Sequence, residues 1–420
     1  MPGRGRGGSE GLCAREDEAL QGLPKLSVRL HGGLTPRHCV AQAQAAEAAG
    51  LDGIAFAENP FHRGILPAAA ACAVATSRIR IGAGVFNPYS RHPTLIAMDI
   101  GALDELAHGR VRLGIGSGIG LAIERMGCRY GRPLTTLREA IAIVRALLHG
   151  DEVSHAGAVC NVQKVKLDYR ARADIPIFMA GRDTQSLQAC GALADGLLVS
   201  NMCTAPFVAK AVHILQSAAQ AAGRPAMPEV VQYLPCIIQP DRADAQRRAK
   251  QAVAEMLPAY WALGQRLPAA KRALLEGSDI SAAELATAVG RLKHGEPAAT
   301  VLDERYSAAF TIAGTAEDCR AQAAAYAAAG VTELALLWVS GWPRPTGHSG
   351  PAGGDRLSPG ASVRAEPGRG VDTFAPRTPP VWSGRGSKGA RRPRWQPTLG
   401  MTARTPKILD RPHAHRWQVL

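Results

Sequence analysis

Short apolar runs alternate along this chain with longer stretches in which apolar residues recur every three or four positions. The short runs read as buried strands and the periodic stretches as amphipathic helices. Strands are predicted at 26–30, 53–57, 80–86, 111–115, 175–180, 196–200, 230–238 and 332–339. Helices are predicted at 36–49, 67–75, 92–106, 134–148, 184–193, 206–222 and 316–329. Between them lie a hairpin over 153–162 that turns at Gly157 and a mostly helical region from Asp241 to about Arg305. Thr35 followed by Pro36 is a helix start, and Gly50, Gly109 and Gly150 are helix stops. Sustained strand–helix alternation means parallel strands joined by right-handed crossovers. About eight strands over this length predict an α/β fold, a (β/α)8 TIM barrel with a mostly helical insertion. A doubly wound open sheet is the alternative, but no G-x-G-x-x-G follows the first strand at Leu30.

Composition divides the chain into three zones. Residues 1–24 are Gly/Arg-rich and lack any apolar period, so they are expected to be a disordered leader. Residues 25–340 carry the barrel pattern. Residues 341–420 are rich in Pro, Gly and Arg and poor in aliphatics, and are expected to be disordered. Of the whole chain's net +14, this tail holds +10, from twelve Arg and two Lys against four acidic residues. The basicity therefore belongs to the tail and not to the body. It would give salt-sensitive affinity for nucleic acid, but aromatic interleaving is sparse and no RNP or zinc pattern occurs, so nucleic acid is not the expected partner. The nine cysteines contain no C-x-x-C and the histidines no H-E-x-x-H, so no metal site is expected. With no apolar run of membrane-spanning length and no apolar signal core at the start, the expected location is the cytoplasm.

Candidate chemistry gathers at predicted strand ends, where barrels place their ligands. Leu113-Gly114-Ile115-Gly116-Ser117-Gly118-Ile119-Gly120 is either a flexible loop or a place where backbone approaches a flat ring or a phosphate. Asn87-Pro88-Tyr89-Ser90-Arg91-His92-Pro93 is either a polar wall or a turn leading into the next helix. Glu58-Asn59-Pro60-Phe61-His62 offers a carboxylate that can accept a ring N–H and, in His62, a group that can move protons; a surface loop is the plain alternative. Ala180-Gly181-Arg182-Asp183-Thr184 opens a helix, and reads as an anion site or as ordinary capping by Asp183. Ser200-Asn201 ends the next strand on the same side.

Together these stretches resemble a known family. Ala46-Glu47-Ala48-Ala49-Gly50-Leu51-Asp52-Gly53 resembles the helix-to-strand corner of luciferase-like oxidoreductases. Thr76-Ser77-Arg78-Ile79-Arg80-Ile81-Gly82 is similar to the start of their third strand. Leu103-Asp104-Glu105-Leu106, Gly109-Arg110 and the glycine run match their L-D-x-L-S-x-G-R-x-x-L-G-x-G-x-G, and Ala194-Asp195-Gly196 matches their A-D-G. The segment from Gly84 to Pro93 is most similar to the methylenetetrahydromethanopterin reductase-like branch, whose members use the deazaflavin coenzyme F-420.

The resemblance implies a flavin- or deazaflavin-dependent oxidoreductase acting on a small molecule, with coenzyme F-420 or FMN at the C-terminal mouth. It implies a non-prolyl cis peptide at Gly84–Val85, with a bulge that backs the carrier's ring. Cofactor contacts would come from Gly84, Val85, Asn87, Gly116, Ser117, Gly118, Ala180, Gly181 and Ser200. Catalytic positions would be Glu58 and Asn59, where many deazaflavin members carry Asp-His, and His62. Asn59 cannot transfer a proton near neutral pH, so His62 or His31 would replace the missing histidine, or hydride transfer would need none. An FMN monooxygenase using oxygen and a non-catalytic flavin-binding protein are the other readings. The family's insertion corresponds to about 256–305, a homodimer is implied by analogy, and the barrel's closing helix should follow Val339, where the composition changes abruptly instead.

Overall fold

The computed structural model describes residues 22–339. The expected disordered leader, save its last residues, and the basic tail lie outside the described residues, as does any closing helix after Val339. The strands in chain order are β1 (Lys25–His31), β2 (Gly53–Ala57), β3 (Arg80–Phe86), β4 (Val111–Ile115), β5 (Val153–Ala156), β6 (Asn161–Val165), β7 (Ile177–Ala180), β8 (Gly196–Val199), β9 (Glu229–Ile238), β10 (Ile312–Gly314) and β11 (Glu333–Trp338). Eight of them close into a ring, β1-β2-β3-β4-β7-β8-β9-β11 and back to β1. Every pairing in that ring is parallel. This is the (β/α)8 barrel. The antiparallel hairpin β5–β6 stands apart from the ring, and β10 pairs only with the C-terminal end of β9.

The helices of the barrel body are α1 (Pro36–Ala48), α2 (Ile65–Ala75), α3 (Pro93–Leu106), α4 (Gly120–Arg125), α5 (Pro133–His149), α6 (Thr184–Leu193) and α7 (Ala205–Ala221). Thr35 caps α1 by accepting from the His38 N–H at 3.3 Å, and Gly150 ends α5 in the left-handed conformation. Two elements escape the sequence pattern: α4 is one short turn-and-a-half after the glycine run, and β10 is too short to show any alternation. Both are shorter than the window in which a hydrophobic period can be recognised.

Alternation along each strand sorts side chains between two cores. Leu26, Val28, Leu30, Ile54 and Phe56 pack outward in the large cluster shared with the helices. Ala55, Ala57, Phe178, Leu198, Val231, Tyr233 and Ala335 fill the barrel interior. The insertion between β9 and β10 is built of α8 (Arg242–Arg266), α9 (Pro268–Leu275), α10 (Ala282–Lys293), α11 (Ala298–Val301) and α12 (Glu304–Phe310). It starts earlier than the resemblance implied, because Asp241 caps α8. Its own core, Val253, Leu257, Leu285, Tyr306 and Phe310, reaches the barrel through Met202 after β8. The last helix, α13 (Ala316–Ala328), leads into β11.

The interior also holds charge. Glu333 on β11 is fully buried and pairs with Arg112 on β4 through both oxygens, with Nη1 to Oε2 at 2.7 Å. Ser27 donates to the same carboxylate, and Arg80 Nη2 reaches it at 3.2 Å. Burial alone would raise the Glu333 carboxyl, but the Arg112 and Arg80 charges and the Ser27 hydroxyl overcome it and hold it at about 2. A carboxyl depressed in the fold contributes stability above its unfolded pKa and loses it as pH falls through the folded value. Removing one partner of a buried pair leaves the other charge uncompensated. Glu333→Gln is therefore expected to lose about 3–5 kcal/mol in urea unfolding at neutral pH. The variant should also lack the acid-limb loss of stability that the parent shows between about pH 4.5 and pH 2. A loss under about 1 kcal/mol would show that the pair is not what ties β4 to β11.

Candidate active site

The C-terminal ends of the barrel strands form a mouth whose floor is set by β3. Its register against β4 shifts between Ala83 and Phe86, and the expected non-prolyl cis peptide lies there, at Gly84–Val85. Gly84 has φ +149°, and a Cβ on it would stand 2.4 Å from the Gly114 carbonyl oxygen, so only glycine fits. The bulge turns Val85 to the interior cluster, beside Ala180. Gly116 completes this contact: a Cβ there would lie 2.4 Å from Val85 Cγ1 and 3.2 Å from Ala180 Cβ. Val85, Gly116 and Ala180 thus make one smooth apolar shelf. Ser117 follows, half-buried, and Gly118 sits against Asn87.

One wall comes from the ends of β7 and β8. Arg182 donates to the Ser200 hydroxyl and, at 3.1 Å, to the Asn201 carbonyl. Its guanidinium lies 5.3 Å over the Tyr260 ring, which belongs to α8 of the insertion. With its amide oriented to satisfy both neighbours, Asn201 accepts from Arg29 Nη1 at 2.7 Å and donates to the Tyr233 carbonyl at 3.1 Å. Arg29 in turn stacks 4.9 Å over the Tyr233 ring. Gly181 faces Ser186. Asp183 caps α6, accepting from the Ser186 N–H at 3.0 Å and its hydroxyl at 2.6 Å. The plain reading of this loop, capping by Asp183, is thus what the structure shows at its helix start.

The opposite wall comes from the loop after β2. The Glu58 N–H donates to the Gly84 carbonyl at 3.1 Å, which fixes this loop to the bulge. The Glu58 side chain is half-buried; burial raises its carboxyl, against the opposing charge of Arg91. Asn59 is half-buried and accepts from the His62 N–H at 3.3 Å through its backbone. His62 itself is exposed at the rim. Phe61, 58% exposed, meets Arg125 of α4 at 4.6 Å from its ring centroid.

The segment from Asn87 to Pro93 spends its polar groups locally. Asn87 Oδ1 accepts from the Ser90 N–H at 2.9 Å and hydroxyl at 3.0 Å. Tyr89 donates to the Gly131 carbonyl at 2.6 Å, Arg91 pairs with Asp99 at 2.5 Å, and His92 caps α3. The structure therefore brings Gly84, Val85, Gly116 and Ala180 together, ties Glu58 to them through the backbone, and joins Gly118 to Asn87 and Ser200 to Arg182. Arg29, Tyr233 and Tyr260 were not anticipated. The signal for Arg29 was present: Ser27, Arg29 and His31 alternate with Leu26, Val28 and Leu30, which marks an inward polar row in β1. Tyr260 lies in the insertion, whose placement no period reveals. Among the described residues no group of three or more His, Cys, Asp or Glu is placed to hold a metal, and no helix is long and apolar enough to cross a membrane.

The chain is thus a closed parallel (β/α)8 barrel with a glycine-floored apolar shelf at its C-terminal mouth. The family described as luciferase-like monooxygenase matches residues 23–333; the chain belongs to that family and is an oxidoreductase. It is 29% identical to the 5,10-methylenetetrahydromethanopterin reductase of Methanolobus tindarius over 293 residues, 70% of this chain and 87% of that one. It is 30% identical over 182 residues to the F-420-dependent glucose-6-phosphate dehydrogenase of Beutenbergia cavernae, covering 40% of this chain and 53% of the relative. The solved coenzyme F-420-dependent tetrahydromethanopterin reductase from Methanopyrus kandleri superposes with a TM-score of 0.66 at 23% identity, covering 76% of this chain and 94% of that one.

A carboxyl raised by burial binds its proton more tightly in the fold, so its contribution to stability falls as pH rises past the unfolded value. Glu58→Gln removes that penalty. The variant is expected to melt above the parent at about pH 8 and level with it at about pH 4, read by calorimetry. An unchanged difference between the two pH values would show that Glu58 is not held in this half-buried setting.

Proposed function

We propose that this protein transfers a hydride between coenzyme F-420 and a small organic substrate. The observation that carries the reading is the apolar shelf of Val85, Gly116 and Ala180 beside the β3 bulge, packed so closely that a Cβ on Gly116 would stand 2.4 Å from Val85 Cγ1. A flat tricyclic ring needs such a surface, and the relatives named for F-420 support that ring over others. When bound, the deazaflavin supplies the hydride chemistry, and the protein supplies binding, orientation and electrostatics. Val85 would back the ring. Gly116, Ser117, Gly118, Ala180 and Gly181 would present backbone to the carrier's side chain and phosphate, with Ser200 and Asn87 beside them. Glu58, anchored at the bulge, would accept from a ring N–H or a substrate donor. Asn59 can donate and accept hydrogen bonds at the substrate but cannot deliver a proton. His62, at the rim, would exchange protons with solvent.

The test is binding of purified full-length protein to F-420 and, separately, to FMN, followed by fluorescence. Saturable binding of F-420 in preference to FMN is expected, and reduced F-420 should be the species reoxidised by substrate. Preference for FMN with oxygen consumption would replace this reading with a monooxygenase, and binding of neither would end it. Gly116→Val places side-chain atoms where Val85 and Ala180 already stand. It is expected to weaken F-420 binding at least about tenfold, about 1.4 kcal/mol, while the protein still unfolds cooperatively.

A further inference from the structure

We propose that His31 is the substrate-polarising residue of this mouth, a neutral imidazole whose Nε2–H donates to the carbonyl oxygen on which negative charge develops during reduction. The proposal rests on the hydride-transfer reading above. His31 is the last residue of β1, on the inward-facing row with Ser27 and Arg29, and it pairs in register with Ala57, next to Glu58. It is half-buried. Its Nδ1 accepts from the Gly33 backbone N–H at 3.1 Å. An amide N–H can only donate, so Nδ1 must carry the lone pair and the neutral ring must carry its proton on Nε2. Among the described residues that Nε2–H has no hydrogen-bond partner.

The surroundings hold the ring in place and keep it uncharged. A Cβ on Gly33 would stand 2.7 Å from His31 Cε1 and 2.8 Å from Nδ1, so the ring lies flush on the glycine. The same point is 3.8 Å from His62 Nδ1, which makes the two imidazoles neighbours. Arg63 Nη1 clamps this loop, donating to the Gly32 carbonyl at 3.4 Å and to the Gly33 carbonyl at 3.2 Å. The charged or titratable groups around His31 are thus Arg29 on its own strand, Glu58 at the end of β2, and His62 and Arg63 on the loop beyond. Burial, then Arg29, then His62 lower the His31 pKa. A neutral imidazole held by a fixed hydrogen bond is an effective electrophile, because its remaining N–H matches a developing oxyanion.

The step balances without a proton leaving His31. The C–H bond forms with a hydride from the reduced carrier, which is oxidised. With a conjugated carbonyl substrate the hydride adds at the β-carbon, the C=C pair shifts through the conjugated system to the carbonyl oxygen, His31 stabilises that enolate charge, and water protonates the α-carbon. This also accounts for Asn59: the residue at that position has no proton to deliver because none is needed there.

F-420 binding is measured first, by fluorescence, so that a failure of the carrier reading shows separately. Long-range ¹H–¹⁵N spectra of the labelled full-length protein then report His31 directly. The expected result is the Nε2–H tautomer across neutral pH, with the Nε2 resonance shifting when 2-cyclohexen-1-one joins the complex with oxidised F-420. With the same enone as acceptor, His31→Leu should slow reoxidation of reduced F-420 about 100-fold with F-420 affinity unchanged. His31→Gln, which keeps an N–H, should recover part of the rate. The rate should fall as pH drops through the lowered pKa, since a proton on Nδ1 displaces the Gly33 N–H. An Nδ1–H tautomer, an Nε2 resonance that ignores the enone, or a full rate in His31→Leu would overturn the assignment.

Discussion

The barrel depends on one buried ion pair. Arg112 and Glu333 meet inside the ring with Ser27 and Arg80 on the same carboxylate, so β1, β3, β4 and β11 are joined at one point. Parallel strands far apart in sequence gain little from local contacts, and their closure must be fixed by interactions that reach across the interior. Such a pair is not a cheap source of stability, since both charges are desolvated. Its value is geometric. A bidentate guanidinium–carboxylate contact tolerates one orientation, so the strands bearing it cannot slide past each other without losing it. Closure through β11, which pairs with both β1 and β9, completes the ring within the described residues.

The same pair helps to fill the barrel interior. Arg112 lies 5.2 Å over the Phe178 ring. Together with Gly82, Gly84, Gly114 and Tyr233 they line an internal void of only about 10 Å³, about the space one water needs. The interior below the bulge is thus packed core and not a channel. A flat carrier bound as proposed would lie above Val85, on the shelf, between the Arg182–Ser200 wall and the Glu58 loop. Stability and chemistry are divided along the barrel axis, as parallel barrels generally divide them.

Much of this could be read from the sequence, for physical reasons. Strand positions were legible because both faces are buried, which forces the unbroken apolar runs of β2 and β8. The tight packing that the structure gives Gly84 and Gly116 fits the glycines that the sequence shows there, because close backbone approach admits few residue types. The polar loops were less legible. Asn87, Tyr89, Arg91 and His92 have the chemistry of a binding wall, yet they close a turn, hold a neighbouring loop, pair with Asp99 and cap a helix. Side-chain chemistry alone cannot tell a group aimed at a ligand from one satisfying the nearest backbone amide. The partners of Arg182 were hidden for a similar reason: Ser200 and Tyr260 are distant in sequence and neighbours only once the barrel and its insertion are folded.

That last contact shows how the insertion serves the mouth. Arg182 holds Ser200 and Asn201 on one side and stacks on Tyr260 of α8 on the other, while Met202, directly after Asn201, enters the insertion's own core. Asn201 passes the constraint inward to Arg29, and Arg29 to Tyr233. Helices that are remote from the shelf in sequence therefore set the position of strand-end residues through one continuous set of hydrogen bonds and ring contacts. Barrel residues already tie the ends of β7 and β8 together, and the insertion adds Tyr260 and the core around Met202 to them. The insertion thereby braces from outside a wall whose polar contacts the barrel makes within itself.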